Sequence, residues 1–128
     1  MSTLTKLPST FRRIELELAR EPEHPAGDPT ERYTLIAPLD PESRVDAKLW
    51  SDHRDACRVV RTHKGEVSAG HLVHGPGGMW RFQFDVSGSA PAERAFRLSD
   101  ERLQPGEYVS IIREDGAHPF CVMSVSVV

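Results

Sequence analysis

Residues 105–128, PGEYVSIIREDGAHPFCVMSVSVV, decide the fold class. Two runs rich in β-branched and aromatic residues, Tyr108–Ile112 and Phe120–Val128, flank Glu114-Asp115-Gly116. Asp-Gly between such runs predicts a β-hairpin, because a tight turn needs φ > 0 and glycine supplies it without steric cost. Pro105-Gly106 marks a second turn just upstream.

Working outward, Phe11–Arg20 alternates with Ile14, Leu16 and Leu18 on one face and Arg13, Glu15 and Glu17 on the other. That period of two predicts a half-buried strand, against the helix that Glu and Leu favour by propensity. Residues 21–31, EPEHPAGDPTE, read as a surface loop, and Tyr33–Leu39 as a second strand stopped by Pro38 and Asp40-Pro41. Asp46 caps a short helix over 47–56, with Leu49, Trp50 and His53 on or near one face. Cys57–Thr62 returns to extended structure. A further hairpin is expected at 67–86, with Gly75-Pro76-Gly77-Gly78 at its turn and Trp80, Phe82 and Phe84 alternating against Arg81, Gln83 and Asp85. Residues 87–92, SGSAPA, read as a loop, and Ala95–Leu98 as a short strand.

About seven strands and one short helix predict a mainly β fold, a compact antiparallel β-barrel or strongly curved sheet, with a two-layer sandwich as the alternative. The N-terminal strand pairing beside the C-terminal one would remove both exposed edges. A single domain is expected over 10–128, preceded by a polar leader at 1–9.

Composition bounds the function. The 128 residues carry 16 basic and 19 acidic side chains, a formal charge of −3, with 38% hydrophobic and 27% charged residues. That is the balance of a soluble globular domain, and no dense basic block marks a phosphate-backbone partner, so nucleic acid is disfavoured. No apolar run is long enough to span a membrane, and the N-terminus lacks a secretory pattern. These features, with Cys57 and Cys121 read as reduced thiols, favour the cytoplasm.

Four segments resemble a family of small, uncharacterised bacterial proteins: RYTLIAPLD at 32–40, WSDHRDACRV at 50–59, GHLVHGPGGMWRF at 70–82 and LQPGEYVSI at 103–111. The resemblance covers the chain from about Ile14 onward. It implies a bacterial setting and an independently folding small domain, and it brings no activity with it.

Several residues invite chemistry. His71 and His74 are potential metal ligands, but residues three apart on a strand point to opposite faces, so no metal is expected. No cofactor is expected either. His53 and Cys57 would share a face if the helix continued through Cys57, and an imidazolium there would favour the thiolate, with Asp52 and Asp55 nearby. A buried, inert Cys57 is the preferred reading. The Gly75–Gly78 loop could offer backbone amides to an anion, although a plain hairpin connection accounts for it. Trp80, Phe82 and Phe84 read as core rather than a stacking platform. The acidic pairs Asp100/Glu101 and Glu114/Asp115 read as solvated turn charges.

The leading expectation is a small non-enzymatic β-domain that binds a protein or small ligand. Its polar contacts fall at Arg58 and Arg61 and at Gly75, Gly77 and Gly78. A thiol-dependent enzyme using Cys57 and His53 is one alternative. A single-stranded nucleic-acid-binding barrel using Arg58, Arg61 and Arg81 is the other.

Overall fold

The computed structural model describes residues 8–75, 79–84, 93–96, 98 and 101–128. Most of the expected leader, the turn residues Pro76, Gly77 and Gly78, Asp85, the 87–92 loop and Asp100 lie outside this set. Within it, eight strands close into an antiparallel barrel in which each strand pairs with its neighbours in sequence. They are β1 (Phe11–Leu18), β2 (Asp28–Pro38), β3 (Arg58–His63), β4 (Glu66–His74), β5 (Met79–Gln83), β6 (Glu93–Phe96), β7 (Tyr108–Arg113) and β8 (Gly116–Val127).

The closing pair is β1 with β8, from Arg12 opposite Val127 to Leu18 opposite Phe120. A barrel is therefore realised rather than a sandwich, and the first and last strands remove each other's free edges. The alternation read in β1 holds: Ile14, Leu16 and Leu18 are buried. So does the row on β5, where Trp80 and Phe82 are fully enclosed and Phe84 just after it is buried, while Arg81 and Gln83 face water. The interior is filled by side chains, as expected for eight strands. The Tyr33 ring lies 4.9 Å from Phe120 and 5.4 Å from Phe82, centroid to centroid.

The structure adjusts three strand boundaries. The described strands number eight, and Lys64-Gly65 makes a tight hairpin between β3 and β4, both of which the sequence predicts. Lys64 has φ 51° and Gly65 φ 80°, the left-handed backbone such turns demand. The strand placed at Ala95–Leu98 runs instead over Glu93–Phe96. Strand β2 begins at Asp28, inside the stretch read as loop. Its register with β1 jumps from Glu17 opposite Arg32 to Leu18 opposite Asp28. Residues 29–31 form the resulting bulge, so Pro29 can sit in a strand without owing a ladder hydrogen bond to β1. Finally, β8 starts at Gly116 and takes in Pro119, which the apolar run from Phe120 did not reach.

The helix forms as its cap predicts but stops early. Asp46 accepts from the amides of Lys48 and Leu49, and α1 spans Ala47–Asp52. At His53 the backbone leaves helical geometry, and a 3₁₀ turn over Arg54–Ala56 delivers the chain to β3. This connection covers one end of the barrel. There the Trp50 indole N–H donates to the Leu72 carbonyl at 2.7 Å, and its ring meets Trp80 edge-on.

Candidate functional site at the open end of the barrel

In an up-and-down barrel, alternate connections gather at opposite ends. The β1–β2 loop and the β3–β4 and β7–β8 hairpins surround the end remote from α1, and a cavity of about 1010 Å³ opens between them. Its floor is charged. Glu31, Arg61 and Glu93 are buried, and the Arg113 side chain is 9% exposed.

Three of these residues, Glu31, Arg61 and Arg113, continue the inward parity of their strands beyond the apolar section, and Glu93 is buried at the start of β6. Glu31 precedes Tyr33, Leu35 and Ala37 on β2. Arg61 follows Cys57 and Val59 in the β3 register, and Arg113 follows Val109 and Ile111 on β7. Strand geometry therefore aims these three at the barrel axis.

Arg113 organises the floor. Its Nε–H donates to the Tyr33 hydroxyl at 3.0 Å and its Nη1 to Glu31 Oε1 at 2.9 Å. The Tyr33 hydroxyl in turn donates to Glu93 Oε1. Burial and the adjacent Glu93 carboxylate push the Tyr33 phenol far above its ordinary range, so it stays a proton donor. Burial alone would raise the Glu31 carboxyl. Hydrogen bonds from His63, from the Lys64 amide and from Arg113 overcome it and hold Glu31 below the usual range. His63 Nδ1 lies 2.5 Å from Glu31 Oε1 and the Lys64 amide 2.9 Å from Oε2.

Two donors on this floor lack acceptors. Arg113 Nη2 and Arg61 Nε are buried without a hydrogen-bond partner among the described residues. Arg61 Nε lies 3.4 Å from Glu93 Oε2, close enough for ion pairing but without hydrogen-bond alignment, and its guanidinium sits over the Phe84 ring. An unsatisfied buried donor costs about 1–3 kcal/mol, and more on a charged group. Here both belong to side chains that line the cavity.

A second cluster ties the mouth together. His118 on β8 places Nδ1 2.9 Å from Glu21 in the β1–β2 loop and Nε2 2.7 Å from Asp115 in the β7–β8 turn. Glu21 also accepts from His24 at 2.9 Å. With a carboxylate against each ring nitrogen, both N–H groups of a protonated His118 find acceptors. Burial opposes that charge, but the two carboxylates outweigh it and raise the His118 pKa.

No family model matches the chain, and no curated protein or solved structure does so either.

The sequence-selected residues fall in different places. Arg61 is in the floor. Arg58, three residues away on β3, points outward and is exposed, so the two arginines share no face. Gly75 belongs to the opposite end, where its amide donates to Met79 O at 2.8 Å, and Gly77 and Gly78 lie outside the described residues. His74 takes the inward parity of Leu72 and stacks on Trp80 at 4.4 Å, whereas His71 has the outward parity. Among the described residues, no group of three His, Cys, Asp or Glu side chains is placed to hold a metal ion.

The His53–Cys57 pair does not form. Cys57 lies past the helix end, its thiol donates to the His53 main-chain carbonyl at 3.4 Å, and the His53 ring meets Phe11 edge-on. Burial pushes the Cys57 thiol up to about 12, the opposite of an activated nucleophile. The nucleic-acid alternative loses its stacking surface, because Trp80, Phe82 and Phe84 are all interior. Among the described residues no helix is long and apolar enough to cross a membrane.

Tyr33, Glu31, Glu93 and Arg113 form the floor without being singled out by any sequence motif. The available signal was parity: a charged residue two positions beyond an inward apolar run on several strands.

Proposed function

We propose that this protein is a small-ligand-binding β-barrel, which takes an acceptor-bearing group of its ligand onto Arg61 and Arg113 at the open end. The observation that carries this reading is Arg113 Nη2, a buried donor without a partner among the described residues, on a side chain that lines the cavity. A ligand oxygen there would satisfy a donor that the protein leaves unpaired. Charge-assisted hydrogen bonds of this kind are stronger than neutral ones, and guanidinium geometry suits carboxylate and phosphate oxygens. A binding module fits the locked floor better than a catalyst does. Tyr33 is held protonated by burial and Glu93, and Glu31 is held ionised by three donors. Neither is poised to exchange a proton near neutral pH. A bacterial cytoplasmic setting belongs to the same reading, supported by the two free cysteines.

The test is titration of ¹⁵N-arginine-labelled protein with butanoate at millimolar concentrations. Saturable shifts are expected at the side-chain N–H signals of Arg61 and Arg113, with none at outward-facing Arg58. Equal, non-saturating shifts at all three would overturn the assignment.

A further inference from the structure

We propose that the ligand of this cavity is zwitterionic, with its acceptor on the arginine floor and a cationic group at the mouth. The proposal rests on the acceptor-binding reading and narrows its chemistry. The floor and the field of the cavity make opposite demands. The unpaired N–H groups of Arg61 and Arg113 call for an oxygen acceptor. The walls, however, are strongly acidic. Glu31 and Glu93 at the floor are joined by Glu21, Glu23, Asp28, Glu66, Glu114 and Asp115.

Against these eight carboxylates stand three fixed cations, Arg61, Lys64 and Arg113, and three histidines, His24, His63 and His118. Counted over the described lining residues, the cavity is negative by five charges with the histidines neutral and still by two with all of them protonated. A simple anion would meet its hydrogen-bond donors only by entering that field, which a concave low-dielectric wall focuses. A simple cation would suit the field and leave the two donors unpaired. A molecule carrying both groups meets both demands.

Placement supports the same division. Glu31 is committed to Arg113, His63 and the Lys64 amide, and Glu93 to Tyr33. Glu21 and Asp115 are engaged by His118. Glu66 and Glu114, exposed beside the turns of the two hairpins, are mouth carboxylates open to an incoming ammonium, as is Glu23 in the β1–β2 loop. Amino acids, short peptides and ω-aminocarboxylates are the class that fits.

The experiment compares 4-aminobutanoate, butanoate and butylamine, titrated at low salt into the labelled protein with the Arg61 and Arg113 signals as readout. We expect 4-aminobutanoate to bind about tenfold or more tighter than either single-charge analogue, with the advantage shrinking as salt screens the mouth. In Glu66→Gln/Glu114→Gln, two exposed changes that leave the floor intact, the advantage over butanoate should fall and butanoate binding should hold or improve. Butanoate binding as tightly as 4-aminobutanoate would overturn the zwitterion while leaving the arginine site standing. Butylamine matching it, with no shift at either arginine, would overturn both readings. Failure of all three compounds to shift Arg61 or Arg113 would also defeat both.

Discussion

Tyr33 on β2 donates its phenolic hydrogen to Glu93 on β6, across the interior of the barrel and between strands that are not neighbours in the sheet. The same hydroxyl accepts from Arg113 Nε, so one oxygen connects an acid and a base that are both buried. Tyr33→Phe keeps the ring against Phe82 and Phe120 and removes only that oxygen. Glu93 then loses a donor and Arg113 an acceptor. The expected loss is about 1–3 kcal/mol in urea denaturation, the cost of stranding buried polar partners. A neutral Tyr33→Phe would mean that water replaces the hydroxyl without penalty.

The aromatic row gives a cleaner contrast. Phe82 is fully buried and adjacent Arg81 is exposed. Phe82→Ala should cost about 3–5 kcal/mol through lost burial and the cavity left behind. Arg81→Ala should stay within about 0.5 kcal/mol. Denaturation midpoints of the two variants check the register of β5 directly.

Gly70 is required by a close approach. It faces inward on β4, where a Cβ would lie 1.8 Å from the Gln83 carbonyl oxygen and 2.7 Å from Phe84 Cα. Both obstacles are backbone, so no side-chain rotation relieves them. Gly70→Ala should force β4 and β5 apart and destabilise the barrel by about 1–3 kcal/mol, as overpacking does. Faster hydrogen exchange at His71 and Gln83, which face each other in the ladder, would accompany the loss.

The mouth cluster makes stability depend on pH in both directions. The folded pKa of His118 is raised above 6.5, so its contribution is complete below that value and is lost as pH rises through the folded pKa. Asp115, through its bond to His118, and Glu21, whose bonds to His118 and His24 outweigh burial, are lowered from 3.8 and 4.5. Their contributions are complete above those values and fade as pH falls through the folded ones. The mouth cluster therefore holds best between the two ranges. His118→Gln should flatten the fall in urea midpoint expected of the native protein as pH rises through the folded His118 pKa. An unchanged profile would show that His118 is not the group responsible.

Thiol labelling separates the two cysteines. Cys121 is half-buried, whereas Cys57 is fully enclosed and its thiol is pushed up to about 12. A neutral disulfide reagent should modify Cys121 in the native protein and reach Cys57 only as fast as the barrel opens. Rapid modification of both would contradict the packing around Cys57.

The fold was largely legible because its local signals agreed with its tertiary structure. The alternation of β1, the apolar runs of the last hairpin and the Asp46 cap each matched what the barrel required. Lys64-Gly65 was missed because a lone Lys-Gly is a weak turn signal, and the start of β2 because Pro29 reads as a breaker unless a bulge accommodates it. The site was hidden for a different reason. Glu31, Arg61, Glu93 and Arg113 each look like the wet end of a strand. They become a buried network only when four strands converge, and pairing between residues as distant in sequence as Glu31 and Arg113 leaves no local trace. Arg58 and Arg61 looked like one basic face by proximity along the chain, yet their parity divides them.

The β1–β8 pairing also governs when this protein can fold. A barrel that closes through its first and last strands has no complete sheet until residues 116–127 have left the ribosome. Until then β1 and β7 both present open edges, the surfaces on which nascent chains misassociate. A stop codon before β8 would remove one-eighth of the strands but the whole closure, and such products should aggregate rather than persist as shortened barrels. Joining the native ends and opening the chain at Lys64-Gly65 would move that vulnerability to another seam, so the order of synthesis could be varied while the final ladder stays the same.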